Sequence, residues 1–136
     1  EYEDGIVRNN LQTSLDGPGV FVFAISKAPR SITGLLEHFD LDINDVDYFI
    51  LHQANKILNE KIRTKLRLPV DKVPYSIEEF GNTSSSSIPL TMVTRLRQQL
   101  KKDHCKLITC GFGVGLSWGT IYFETEKITC PELIMV

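Results

Sequence analysis

The sequence predicts an α/β fold: a mixed sheet with helices on both faces. Three observations carry that prediction. Short runs rich in β-branched and aromatic residues recur at Val20–Ala24, Tyr48–Leu51, Cys105–Cys110 and Ser117–Phe123. Between the first three lie longer segments with apolar residues at helical spacing. The last two runs are joined only by glycine-rich residues 111–115, so an antiparallel pair follows an alternation of strand and helix. The order is strand, helix, strand, helix, helix, strand, strand, which calls for a layered mixed sheet.

Each element has its own warrant. Residues 1–19 read as an irregular lead-in closed by the turn signal Asp16-Gly17-Pro18-Gly19, and the chain is expected to begin in mid-protein. Val20-Phe21-Val22-Phe23-Ala24 reads as a buried strand. Ile32, Leu35, Leu36 and Phe39 then mark a helix over 28–39 with Pro29 in its first turn and His38 on the polar side. Residues 41–47 form a polar turn with apolar anchors, leading into the strand Tyr48–Leu51. A helix over 54–68 follows, with Ile57, Leu58, Ile62 and Leu66 as its apolar stripe and Pro69 as its stop. Lys56, Lys61, Arg63, Lys65 and Arg67 make the rest of that helix basic, with Glu60 the lone acid: either a solvated face or a docking surface for an acidic partner. Residues 73–80 read as a short connection. In Gly81-Asn82-Thr83-Ser84-Ser85-Ser86-Ser87-Ile88-Pro89 the serines suit a helix cap and Pro89 a first turn, so a single helix is expected over 87–102. The domain proper is expected to span 20–126, and the tail 127–136 has no readable role.

Composition bounds the possibilities. The 136 residues suffice for one domain with a core, and 42% hydrophobic with 24% charged residues is ordinary for a globular chain. A net charge of −2 gives no electrostatic case for nucleic acid. No apolar run approaches the roughly 20 residues of a membrane span. The acidic start Glu1-Tyr2-Glu3-Asp4 is unlike a signal peptide. Cys105, Cys110 and Cys130 make an odd count without CxxC or zinc-ligand spacing, so no disulfide framework and no metal site are expected, and a reducing cytoplasm is. The glycines 111, 113 and 115 are not a dinucleotide fingerprint, because residue 116 is Leu and a strand follows.

The chain is organised around Tyr48-Phe49-Ile50-Leu51-His52-Gln53-Ala54-Asn55, where an apolar strand gives way to a helix. A histidine at such a junction is placed by rigid elements, and the partial positive charge of a helix N-terminus favours a neutral ring. It is either a packed structural histidine or a functional one. Two further stretches stand out at element ends: Asn82 in the small-residue loop and the glycine turn 111–115.

HQAN at 52–55, GNTSSSSIP at 81–89 and GFGVGLSWG at 111–119, in this order and spacing, resemble the C-terminal half of a β-ketoacyl-acyl-carrier-protein synthase III. The upstream stretch 16–32, DGPGVFVFAISKAPRSI, resembles that family too, so the likeness covers roughly residues 12–125. The resemblance implies a thiolase-like fold, in which two duplicated α/β halves pack as layers α-β-α-β-α and this chain is the second. It implies a cytoplasmic homodimer that starts fatty-acid synthesis from acyl-CoA and malonyl carrier protein, with no cofactor beyond those pantetheine thioesters. It implies a Cys-His-Asn site to which His52 and Asn82 contribute, the cysteine belonging to an N-terminal half that is not in this sequence. Gly113, Val114 and Gly115 match the oxyanion loop, with the Val114 amide as donor. Phe112 matches the aromatic residue beside the cysteine, and Asn55 a residue of the pantetheine tunnel. The family's carrier-docking arginine falls at Ile57 here, which leaves Lys56 and Arg63 as docking cations. Two rival readings remain: a non-catalytic thiolase-like subunit that binds an acyl thioester or a partner half, and a cysteine hydrolase pairing Cys110 with His52.

Overall fold

The computed structural model describes Gly5, residues 15–102 and residues 104–134. Its elements are α1 (Gly17–His38), β1 (Tyr48–Leu51), α2 (Lys56–Lys65), α3 (Ile77–Phe80), α4 (Ser87–Arg95), α5 (Arg97–Lys102), β2 (His104–Gly113) and β3 (Ser117–Glu126). The sheet order is β1-β2-β3, with β1 parallel to β2 and β2 antiparallel to β3, which is the mixed sheet expected. Alternate side chains of the strands feed two cores. Phe49, Leu51, Ile108, Cys110 and Phe112 pack with Ala24, Ala28, Ile32 and Leu36 of α1 and Leu58 and Ile62 of α2. On the opposite face Ile50, Cys105 and Leu107 pack with Leu96, Leu100 and Cys130. Most of the lead-in and the last two residues lie outside the described residues. The tail is not idle, since Cys130 is buried and the Ile128 amide donates to the Leu100 carbonyl at 3.0 Å.

The largest departure from expectation is α1. Val20–Ala24 is not a strand, and the helix expected from Ala28 is the second half of one long helix. Asp16 caps it, accepting from the Gly19 amide at 2.9 Å, and Pro18 sits in the first turn. Ala24, Ala28, Ile32 and Leu36 recur every fourth residue and are buried as one stripe against the sheet. That burial, worth roughly 1.5–3 kcal/mol for each large side chain, outweighs the local β preference of Val-Phe-Val-Phe. Pro29 therefore lies inside the helix, where it cannot donate to the Ile25 carbonyl. Lys65 of α2 supplies the missing donor, its Nζ reaching that carbonyl at 3.1 Å.

The remaining differences concern helix ends. α2 stops at Lys65 because Arg67 turns into the left-handed region (φ 56°), letting the Leu68 amide donate back to the Arg63 carbonyl at 3.0 Å. The connection 73–80 contains the one-turn α3, ended by Gly81 at φ 66°, a value that suits glycine. The helix expected over 87–102 breaks at Leu96 into α4 and α5. There Arg95 Nε bonds the Tyr75 carbonyl while Arg97 Nε bonds that of Cys130.

The Pro29–Lys65 compensation has a testable form. Lys65→Met should cost about 0.5–1.5 kcal/mol in urea unfolding of the complete protein, and close to nothing in a Pro29→Ala background, where the alanine backbone supplies the amide. Equal losses in both backgrounds would refute it.

Candidate functional site

His52 is delivered by the sheet. The parallel register pairs Leu51 with Cys110, and the His52 amide extends the ladder by donating to the Cys110 carbonyl at 2.9 Å. Beyond that bond the chain leaves the sheet and turns to Asn55, whose side chain caps α2 by accepting from the Leu58 amide at 2.8 Å. The imidazole is half-buried. Phe112 of β2 stands edge-on to it, with centroids 5.4 Å apart at 73°, and Nδ1 lies 2.7 Å from the Ser87 hydroxyl at the start of α4.

Burial lowers the His52 pKa from 6.5, against a smaller opposing pull from the Ser84 backbone carbonyl, so the ring is neutral at neutral pH. The neutrality expected from the α2 N-terminus is thus produced chiefly by desolvation, since α2 starts only at Lys56. A ring that resists protonation adds stability that is fully present above 6.5 and is lost as pH falls through the lowered value.

Asn82 follows Gly81 on an exposed loop. Its Oδ1 accepts from the Ser84 amide at 2.9 Å, which commits the oxygen and leaves the Nδ2 hydrogens as donors. The third expected stretch is built differently from a five-residue turn. Gly111 to Gly113 continue β2, and the bend is confined to Val114–Leu116. Val114 is 86% exposed.

These stretches converge. A cavity of about 740 Å³ is lined by His52, Asn55, Asn82, Phe112, Gly113 and Val114, together with Ser84, Ser87 and the first turns of α1. A neutral ring, a carboxamide and a strand-end backbone around one cavity can stabilise charge developing on an oxygen without carrying charge themselves. Gly115 is not part of that wall; it bends the chain at φ 133°. Sequence reasoning missed Ser87 as a wall residue, because serines ahead of a helix read as caps. It also missed Val20 and Phe21, which border the cavity only because α1 is helical there. The fourfold spacing of Ala24, Ala28, Ile32 and Leu36 was the available signal.

Residues 36–125 match the model of the family described as 3-oxoacyl-[acyl-carrier-protein (ACP)] synthase III C terminal. The chain belongs to that family. It is 41% identical over 110 residues to the beta-ketoacyl-[acyl-carrier-protein] synthase III of Streptococcus gordonii, covering 79% of this chain and 34% of that protein. The protein of the same description from Oceanobacillus iheyensis is 38% identical over 126 residues, covering 93% of this chain and 38% of its own length. Among solved structures, 3-oxoacyl-(acyl carrier protein) synthase III from Pseudomonas aeruginosa PAO1 superposes with a TM-score of 0.80 at 31% identity, over 91% of this chain and 39% of that one. The 3-oxoacyl-(acyl-carrier protein) synthase from Burkholderia xenovorans LB400 gives 0.81 at 35% identity, over 84% and 33%. The thiolase-like half-fold is borne out, and the chain spans about a third of the length of the curated relatives it matches.

Within this synthase III C-terminal domain Lys56 and Arg63, the cations expected to dock a carrier protein, are placed unequally. Lys56 is exposed and pairs with Glu78 of α3. Arg63 is held inside the fold: its guanidinium bonds Glu60 and the Leu68 carbonyl, and its side chain is only 16% exposed. Ile57 stands out in solvent at 68%. Among the described residues no group of three or more His, Cys, Asp or Glu side chains is placed to hold a metal ion. No helix there is long and apolar enough to cross a membrane.

The hydrolase reading fails on geometry. Cys110 is fully buried in the core beneath α1, is not a wall residue of the cavity, and burial pushes its thiol up to about 11. Thiol labelling of the native protein at pH 8 should therefore modify Cys110 at least ~100-fold more slowly than a free cysteine, as the thiolate fraction requires. Labelling at the free rate would restore Cys110 as a nucleophile.

Proposed function

We propose that this chain is the C-terminal half of a 3-oxoacyl-[acyl-carrier-protein] synthase III, which condenses an acyl group from acyl-CoA with malonyl carrier protein at the start of fatty-acid synthesis. The observation that carries the reading is the convergence of His52, Asn82 and the Gly113–Val114 strand end on one cavity. The nucleophilic cysteine comes from an N-terminal half. Val114 at the cavity wall, Leu116 in the bend after it, and Trp118 and Ile121 on β3 are exposed apolar residues, which suit a surface covered by that half. Alone, the chain is inactive on this reading.

In the first half-reaction the cysteine thiolate attacks the acyl-CoA carbonyl, the tetrahedral oxyanion forms, and the CoA thiolate leaves. The Val114 amide is one donor to that oxyanion. In the second, malonyl carrier protein loses CO₂ and the electron pair passes into the thioester as an enolate. The His52 Nε2–H and an Asn82 Nδ2–H donate to the enolate oxygen, and neither needs charge to do so. The enolate carbon then attacks the acyl-cysteine and expels the thiolate. Neither half-reaction transfers electrons to an acceptor, so no redox cofactor is called for. Asn55 and Phe112 line the thioester path, and Lys56, with little help from the internally bonded Arg63, faces the carrier protein. A cytoplasmic homodimer is part of this proposal; the family likeness supports it, and the three buried free cysteines agree with a reducing compartment.

In the complete enzyme His52→Ala or Asn82→Ala should each lower malonyl decarboxylation by about 10²–10³-fold. Transfer of labelled acyl groups from acyl-CoA to the cysteine should persist. Near-normal decarboxylation in both variants would overturn the donor pair.

A further inference from the structure

Behind the cavity wall lies a closed circuit of hydrogen bonds that the reaction outlined above does not use. Gln53, Ser76, Ser87 and Thr91 are each at most 1% exposed. Gln53 Nε2 donates to the Leu51 carbonyl at 2.8 Å, and its Oε1 accepts from the Ser76 amide at 3.2 Å. The Thr91 hydroxyl donates to the Ser87 carbonyl at 2.7 Å, so the Ser76 hydroxyl must be the donor in its own 2.7 Å contact with Thr91. The Gln53 amide donates to the Ser87 hydroxyl oxygen at 3.2 Å and closes the circuit. Only Ser87 touches a site residue, its oxygen lying 2.7 Å from His52 Nδ1.

The direction of that last bond follows from proton accounting. The Ser87 oxygen already accepts the Gln53 amide, and its own hydrogen is buried. His52 Nδ1 is the acceptor within reach, and sending the hydrogen there leaves the Ser87 hydroxyl paired both as acceptor and as donor. The Ser84 carbonyl, which accepts the Ser87 amide with one of its two lone pairs, favours an N–H on the ring without deciding which nitrogen carries it. An imidazole that accepts at Nδ1 carries its single proton on Nε2. We propose that Ser87 is a positioning residue for His52: its hydroxyl donates to Nδ1 and holds the neutral ring in the Nε2–H form, the form able to donate into the cavity. The circuit through Gln53, Ser76 and Thr91 fixes the hydroxyl in turn, tying the β1 exit, α3 and α4 to one another. The consequence for catalysis rests on the condensing-enzyme reading; the tautomer does not.

The test uses the complete enzyme labelled at histidine ring nitrogens, with the His52 signals assigned by their loss in His52→Gln. NMR shifts at pH 8 should place the proton on Nε2. In Ser87→Ala the proton should move wholly or partly to Nδ1, and malonyl decarboxylation should fall about 10–100-fold, more than acyl transfer does. Ser87→Thr, which keeps the hydroxyl, should restore both the tautomer and the rate. A wild-type ring protonated on Nδ1 would overturn the proposal with no variant needed. So would a Ser87→Ala enzyme that keeps the Nε2–H ring at the wild-type rate. A wild-type enzyme with the expected tautomer and no decarboxylation would instead overturn the condensing-enzyme reading and leave the Ser87 assignment standing.

Discussion

One backbone hydrogen bond sets the geometry of the cavity: the His52 amide on the Cys110 carbonyl at 2.9 Å. It is the last rung of the parallel ladder, and it decides what stands beside what. Cys110 is followed by Gly111, Phe112 and Gly113, so a histidine held at that rung meets the aromatic ring of Phe112 and the strand end that leads to Val114. The opposite end of the ladder is pinned as well. The Asp47 amide donates to the Lys106 carbonyl at 2.9 Å, and the Lys106 amide donates back to the Asp47 carboxylate at 2.7 Å. A slip by one residue would break both ends and exchange the two cores that Ile50 and Leu51 serve.

Fixing the backbone of His52 does not fix its ring. Three features do that, each acting on a different degree of freedom. Phe112 limits the tilt of the ring, burial keeps it uncharged, and Ser87 engages Nδ1. The carboxamide of Asn82 is oriented more locally: once its oxygen accepts from the Ser84 amide, its nitrogen is the group left to act. The two side chains thus reach one cavity by different routes, the first through the sheet and the second through a short loop that Gly81 begins.

What could be read from the sequence follows from how local each cause is. β1, α2 and the β2–β3 pair were legible because their periodicity agrees with their final state. His52, Asn82 and Phe112 were legible because they mark the ends of such elements and match a family pattern. Val20–Ala24 was misread because its preference is local and its burial partner is not: the sheet it packs on is formed largely by residues more than 80 positions later. Pro29 pointed to a helix start for the same reason. Nothing near it in sequence discloses that Lys65 will satisfy the carbonyl it orphans. Ser87 was legible only as one of four serines, since what distinguishes it is contact with His52, 35 residues away.

The circuit behind the wall also bears on why this site tolerates buried polar groups. An unpaired buried hydroxyl or amide costs about 1–3 kcal/mol, whereas a paired one costs little. In the circuit the direction of each bond constrains the next, so Thr91 settles Ser76, and Gln53 fixes the lone pair that Ser87 offers. Apolar residues of the same volume would fill the space equally well, but they would leave Nδ1 of His52 without a hydroxyl donor and either nitrogen free to carry the proton. The polar interior is therefore explained by the direction it imposes on one ring, an effect that no sum of contact energies would reveal.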